Sequence, residues 1–373
     1  MYSQFPGQHD KRLSSIPEES SLEASESEAS EEPTIQPGST KKRAAPPSRI
    51  HRLTHTIASQ DYIGVLIAIV VLVVIIGVAH PDFLAFGQLT DILNQATFVA
   101  ILACGMTFLL AMRELDLSVG SIYGLTALCS AMLIHMGMPS WISAFFGIVI
   151  GALLGLTNGL LIQFFRLPSI VATLATMTIF RGLIFALSNG TQVLGPALTD
   201  PFANFVGAHF LGIPTNVWIL IVIIAVFTIV LRATPFGYRV RSIGSNPEAA
   251  AFTGLPMIRT RLMAFTLIGG LGGLAGMLSL GYFGSADPNL GTGYELLAIA
   301  AVVIGGTPLR GGKATIIGAV LGAILLGIVN SGLAYFNVPI NWTAFATGVV
   351  ILLAVSLDSL LRRNQNRQQG PHL

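Results

Sequence analysis

The sequence predicts an all-α membrane protein of about ten transmembrane helices, with a candidate inverted repeat and a disordered N-terminal tail. Three observations carry that expectation. The 373 residues are 53% hydrophobic and only 10% charged, and the mean hydropathy is +0.73, a balance that no water-facing surface matches. Fifteen of the 38 Asp, Glu, Lys and Arg residues fall in the first sixty positions, leaving 23 for the other 313. Beyond residue 60, apolar stretches long enough to cross a hydrocarbon core of about 30 Å recur to residue 361. The two cysteines, Cys104 and Cys129, sit inside apolar runs, so neither a disulfide framework nor a metal-ligand cluster is expected. A net charge of +2 with scattered basic residues gives no stripe for nucleic acid.

Residues 1–60 are expected to be a disordered, cytoplasmic, acidic and Ser-rich tail. Seven glutamates lie among serines over 18–32, with Leu22 the one large apolar residue, too little to offset ordering entropy. The sign reverses at Lys41, Lys42, Arg43, Arg49 and Arg52, a position suited to an anionic leaflet. The membrane domain is then 61–361, and 362–373 form a short cytoplasmic C-terminal tail.

Spans are expected near 62–79, 96–112, 118–137, 141–163, 168–187, 216–232, 262–282, 294–309, 315–336 and 342–361. Basic residues mark cytoplasmic loops. With both termini inside, twelve of the thirteen Lys and Arg residues beyond the tail fall in cytoplasmic segments and Arg181 falls within the fifth span. The outer loops then carry only Asp82, Asp91, Asp200 and Asp287 as charges. A faint repeat accompanies the pattern: Gly120, Ala127, Gly151 and Ala152 recur 171 residues later as Gly291, Ala298, Gly322 and Ala323. Five spans of displacement would invert one half relative to the other.

Small residues crowd the third, fourth, seventh, eighth and ninth spans, which suits close helix association in lipid. An ion-coupled carrier needs carboxylates at mid-membrane depth. Here Asp116 and Glu114 are expected at the cytoplasmic mouth of the third span and Glu295 at the outer end of the eighth. No nucleophile–base pair suggests catalysis, and no phosphate-binding loop is complete, so the chain is expected to bind neither ATP nor any other cofactor itself.

The longest cytoplasmic loop, 232–261, contains Gly244-Ser-Asn-Pro-Glu-Ala-Ala-Ala-Phe-Thr-Gly254. Asn246 is placed to cap a short helix, Pro247 to open it, Glu248 to meet its positive end and Gly254 to stop it. Two turns of helix outside the bilayer need a partner for stability.

Glu248-Ala249-Ala250 followed by Gly254 resembles the EAA motif of bacterial ABC importer permeases. Leu115-Asp-Leu-Ser-Val-Gly-Ser121 and Gly291-Thr-Gly-Tyr-Glu-Leu-Leu-Ala-Ile-Ala-Ala-Val-Val-Ile-Gly-Gly306 resemble segments of the ribose-type sugar permeases, which include ribose, xylose, arabinose and autoinducer-2 importers. The resemblance covers about residues 60–361. It implies a bacterial inner-membrane subunit that pairs with a second permease, a copy or a paralogue. A cytoplasmic ATPase would consume ATP below, and a periplasmic binding protein would deliver sugar above. Any ion pair with that binding protein would have to use Asp82, Asp91, Asp200 or Asp287. It further implies that Gly244, Asn246, Glu248, Ala249, Ala250 and Gly254 couple to the ATPase. Asp116, Ser118, Gly120, Ser121, Arg181, Tyr294 and Glu295 are then candidates for the gate or pathway. At Arg181 two readings stay open, hydrogen bonding to passing sugar hydroxyls and snorkelling outward. A permease for a nucleoside, autoinducer-2 or branched-chain amino acid is the neighbouring reading, and an ion-coupled secondary carrier the more distant one.

Overall fold

The computed structural model describes residues 63–339 together with 342, 344–349 and 352. The tail 1–60, the C-terminal segment 362–373 and most of the tenth expected span lie outside the described residues. The helices in chain order are α1 (Ile63–Ala79), α2 (Phe86–Ala111), α3 (Val119–His135), α4 (Ser140–Phe165), α5 (Ser169–Ser188), α6 (Pro201–Gly207), α7 (Thr215–Ala233), α8 (Pro235–Ser245), α9 (Pro247–Phe252), α10 (Met257–Phe283), α11 (Tyr294–Ile304) and α12 (Ile316–Tyr335). Four two-residue strands, β1 (Val193–Leu194), β2 (His209–Phe210), β3 (Ile213–Pro214) and β4 (Ser285–Ala286), pair antiparallel as β1 with β4 and β2 with β3. Among the described residues, α2, α4, α5, α7, α10 and α12 are long and apolar enough to cross a membrane, and α1, α3 and α11 are shorter apolar helices. The all-α membrane class therefore holds, while the count of ten spans is not confirmed among the described residues.

Helix α2 begins ten residues before its expected start at 96. Gln88, Asp91, Asn94 and Gln95 had lowered the local hydropathy, yet neighbouring helices satisfy two of these groups. Asn216 Nδ2 donates to Asn94 Oδ1 at 2.9 Å, and Gln88 Nε2 donates to Ser331 Oγ at 3.4 Å. From Ala96 to Ala111 nearly every residue is buried, so α2 is the central post of the bundle.

Adding 171 carries 86–111 onto 257–282, the body of α10, and places α11 and α12 on the equivalents of α3 and α4. The packing follows the same exchange. Helix α4 lies along α10, and the equivalent of each, α12 and α2, also lie together. Where α2 crosses α10, Phe98 meets Tyr282 and Phe283 with ring centroids 6.1 and 5.8 Å apart, whereas Gly105 meets Ile268. The two helices thus run antiparallel, and one half is inverted relative to the other.

The seam between α4 and α10 is made of glycine. Gly147, Gly151, Gly155 and Gly159 occupy every fourth position of α4, hence one face. The first three face Gly269 and Gly273 so closely that a Cβ at Gly151 would stand 2.9 Å from the Gly273 Cα. In lipid, which offers no hydrophobic gain for association, this backbone approach provides the dispersion contacts that hold the pair.

Candidate functional site

The two breaks that follow α2 and α10 meet inside the bundle. Residues 112–118 lead from the C-terminus of α2 to α3, and 284–293 lead from α10 to α11. Gly120 and Gly291, equivalent under the repeat, touch through their backbones, and a Cβ on either would collide with the other's carbonyl oxygen. Gly291 also has φ +79°, a conformation that side chains with a Cβ rarely adopt. The equivalent rings of Tyr123 and Tyr294 lie 5.3 Å apart. Glu295 Oε2 reaches the same point against Gly120, buried and without a hydrogen-bond partner. This corrects the expectation that Glu295 marks the outer end of its span: the starts of α3 and α11 come together in the interior, while Glu114, before α3, pairs with Arg261 at 2.8 Å at the basic end. A linear count of spans cannot register such a meeting, because it treats each break as a loop on a face.

Asp116 is fully buried. Its Oδ1 accepts from Ser118 N at 2.8 Å and Ser118 Oγ at 2.7 Å, and Asn158 Nδ2 donates to Ser118 Oγ at 2.7 Å. Ser118 holds the N-cap position of α3 but makes no side-chain cap bond, since its hydroxyl is committed to Asp116. The corresponding Asp287 is exposed, and its Oδ1 accepts only from Asn289 N at 2.8 Å.

Helix α5 braces both breaks along one line of residues. Ser169 Oγ accepts from Leu115 N at 3.3 Å, Thr173 Oγ1 accepts from Leu117 N at 3.1 Å, and the Met177 carbonyl accepts from Ser121 Oγ at 3.1 Å. Four residues further on, Arg181 donates through Nη1 to the carbonyls of Pro288 and Leu290 at 3.1 and 3.0 Å. Spacing of four keeps these positions on one helix face. Neither sequence reading of Arg181 describes this arrangement, in which the guanidinium fastens the second break to α5.

At the far end of α2, the loop singled out by sequence folds into two helices. Helix α8 was not expected; its eleven residues are short and charged, with too little apolar length to register as a span. Helix α9 spans Pro247–Phe252, with Asn246 Oδ1 accepting from Ala249 N at 3.0 Å and Gly254 at φ +74° after its end. Phe252 is 92% exposed. Gly244 presses against the Ala111 carbonyl with no room for a Cβ. Arg113 donates through Nε to Gly244 O at 2.7 Å and through Nη2 to Ser245 O at 3.0 Å. Gly312 N donates to Ala111 O at 3.0 Å. Arg113 adopts φ 65°, rare for a residue with a side chain, and sequence gave no sign of its role. Glu248, Ala249 and Ala250 all lie in α9, with only Ala250 buried.

Nine of the ten Lys and Arg residues between 63 and 339 sit at this same end, and Arg181 is the exception. At the opposite end, Asp82 and Asp91 are exposed. Asp200 is engaged, with Oδ1 capping α6 through Phe202 N and Oδ2 accepting from Ser140 Oγ, both at 2.8 Å. A cleft of about 370 Å³ opens between α2, α11 and α12, and Tyr294 is the only expected site residue that lines it.

A protein family described as "Branched-chain amino acid transport system / permease component" matches residues 88–355. The ribose import permease protein RbsC of Bacillus subtilis is 37% identical over 296 residues, 79% of this chain and 92% of that protein. The L-arabinose ABC transporter permease protein AraH of Azospirillum brasilense is 36% identical over 304 residues, covering 82% and 89%. The autoinducer 2 import system permease protein LsrC of Salmonella typhi is 33% identical over 308 residues, covering 82% and 88%. No solved structure matches.

Proposed function

We propose, for a chain that belongs to the family of branched-chain amino acid transport system permease components, that it forms the translocation pathway of an ABC importer for a sugar. The observation that carries the reading is the capped helix α9, which presents Phe252 to solvent and is joined through α8 and Arg113 to the end of α2. Helix α9 is too short to be stable alone, and an apolar ring exposed on it suits a groove in a partner. A cytoplasmic ATPase is that partner. ATP is bound and hydrolysed there, and this chain transmits motion without covalent chemistry of its own.

The clustering of basic side chains at the α8–α9 end supports a cytoplasmic orientation for that end in a bacterial inner membrane, and for both termini. Asp82 and Asp91, whose carboxylates are exposed, then face a periplasmic sugar-binding protein. A second permease chain, a copy or a paralogue, completes the pore. A sugar is favoured over an amino acid because the ribose and arabinose permeases above are similar over most of this chain. Movement of α9 would pass to α2 and to the interior contact at Gly120 and Gly291, where the inverted halves can rock against each other.

The test is a cross-link from Phe252→Cys in vesicles holding the complete transporter. Capture of the ATP-hydrolysing subunit, in a yield that changes when ATP is added, is the expected result. Absence of capture, together with uptake that persists after ATP is exhausted, would sink the importer reading.

A further inference from the structure

We infer that the cleft between α2, α11 and α12 is a contact site for an uncharged polyhydroxylated solute, a step that rests on the importer reading above. Its volume of about 370 Å³ falls in the range of small-molecule sites. Among the described residues its polar groups are Gln88, Gln95, Tyr294, Asn330, Ser331 and Tyr335, and no Asp, Glu, Lys or Arg lines it. Ala96, Leu326 and Gly327 supply an apolar floor.

That combination fits one ligand chemistry. A carboxamide offers two donors and an acceptor, and a hydroxyl offers a donor and two lone pairs, so amides beside phenols and a serine can pair with neighbouring sugar hydroxyls in either sense. The apolar floor suits the C–H face of the same ring. A zwitterionic amino acid would bring two charges to a place with no side-chain counter-charge, at a desolvation cost that uncharged groups offset poorly.

Lipid tails suit the cleft poorly, because Gln95 is exposed and an amide facing hydrocarbon lacks hydrogen-bond partners. Two groups are already tied in place, with Gln88 Nε2 donating to Ser331 Oγ at 3.4 Å and Thr347 Oγ1 donating to Asn330 Oδ1 at 2.7 Å. The site is therefore partly organised before any solute arrives. Tyr294 links it to the interior contact of the two halves through the Tyr123 ring. A solute held here would touch the first residue of α11, directly after the break that Arg181 fastens.

The experiment is uptake into liposomes containing the complete transporter, with radiolabelled D-ribose and L-arabinose as uncharged probes and L-leucine as the zwitterionic one. Uptake is expressed per ATP hydrolysed. The intact protein is expected to admit at least one pentose and to exclude leucine. Gln95→Ala and Asn330→Ala should each lower pentose uptake about threefold to tenfold, the worth of one hydrogen bond. Gln95→Asn and Asn330→Gln should recover part of it, which a merely unfolded variant would not do. Pentose uptake undiminished in both alanine variants overturns the site and leaves the importer reading standing. Leucine uptake without pentose uptake, or no uptake of any probe, overturns the sugar reading and the site together.

Discussion

Two helix seams related by the internal repeat have opposite characters. Along α4 and α10, glycines at every fourth residue bring backbones together and leave no gap. Along α2 and α12, which also lie together, the Ala96 methyl stands opposite Gly327 and a cleft opens beside the contact. The position equivalent to Gly155 is Leu326, whose side chain stands where the other seam has none. The repeat thus carries a closed glycine joint in one half and an opening in the other, with Leu326 in place of a glycine beside the opening. Symmetry supplied the scaffold, and its local loss supplied the cavity.

The largest expected effect breaks this comparison directly. Gly155→Ala would set a Cβ 2.9 Å from the Gly269 Cα and against the Phe265 carbonyl, backbone atoms that cannot swing aside. Its cost should be about 2–3 kcal/mol, whereas Gly327→Ala, meeting only the Ala96 methyl at 3.0 Å, should cost less than about 1 kcal/mol. Thermal unfolding of the two variants in detergent measures the contrast, and equal shifts would reject it. A smaller effect sharpens the open side. Arg181→Ala removes two hydrogen bonds from a half-buried cation and should cost about 1–2 kcal/mol. It should also speed thiol labelling of an introduced Asn289→Cys, while Arg181→Lys restores less than half, because an ammonium lacks the planar fork that reaches two carbonyls. The smallest effect lies away from both seams. Asn246→Ala loses a helix cap worth about 1 kcal/mol and should weaken stimulation of the ATPase about fivefold without moving the unfolding temperature of the bundle; Asn246→Ser should restore it.

What sequence made legible was governed by local rules. Span hydropathy gave the membrane class, and cap chemistry placed Asn246, Pro247 and Gly254 at the right points of α9. The offset of 171 was visible in four small residues, though its pairing of Asp116 with Asp287 and Tyr123 with Tyr294 gained meaning only once the two breaks were seen to touch. Three features escaped for physical reasons. The early start of α2 was hidden because polar residues lower hydropathy whether they face a protein neighbour or water. Helix α8 was hidden because a short charged helix has neither span length nor a distinctive cap. Arg113, Gln95 and Asn330 were hidden because their partners lie more than a hundred residues away or around a cavity, and no spacing rule encodes such distances.

Helix α2 carries one more consequence. Its 26 residues contain no proline and cover about 39 Å, with the Ala111 carbonyl held by the α8–α12 side and Gln88 at the rim of the cleft. Such a piece is one continuous element that joins the α8–α9 end of the bundle to the cleft. On the importer reading proposed above, a fluorophore at the cleft rim should respond to nucleotide supplied to a partner at the α8–α9 end.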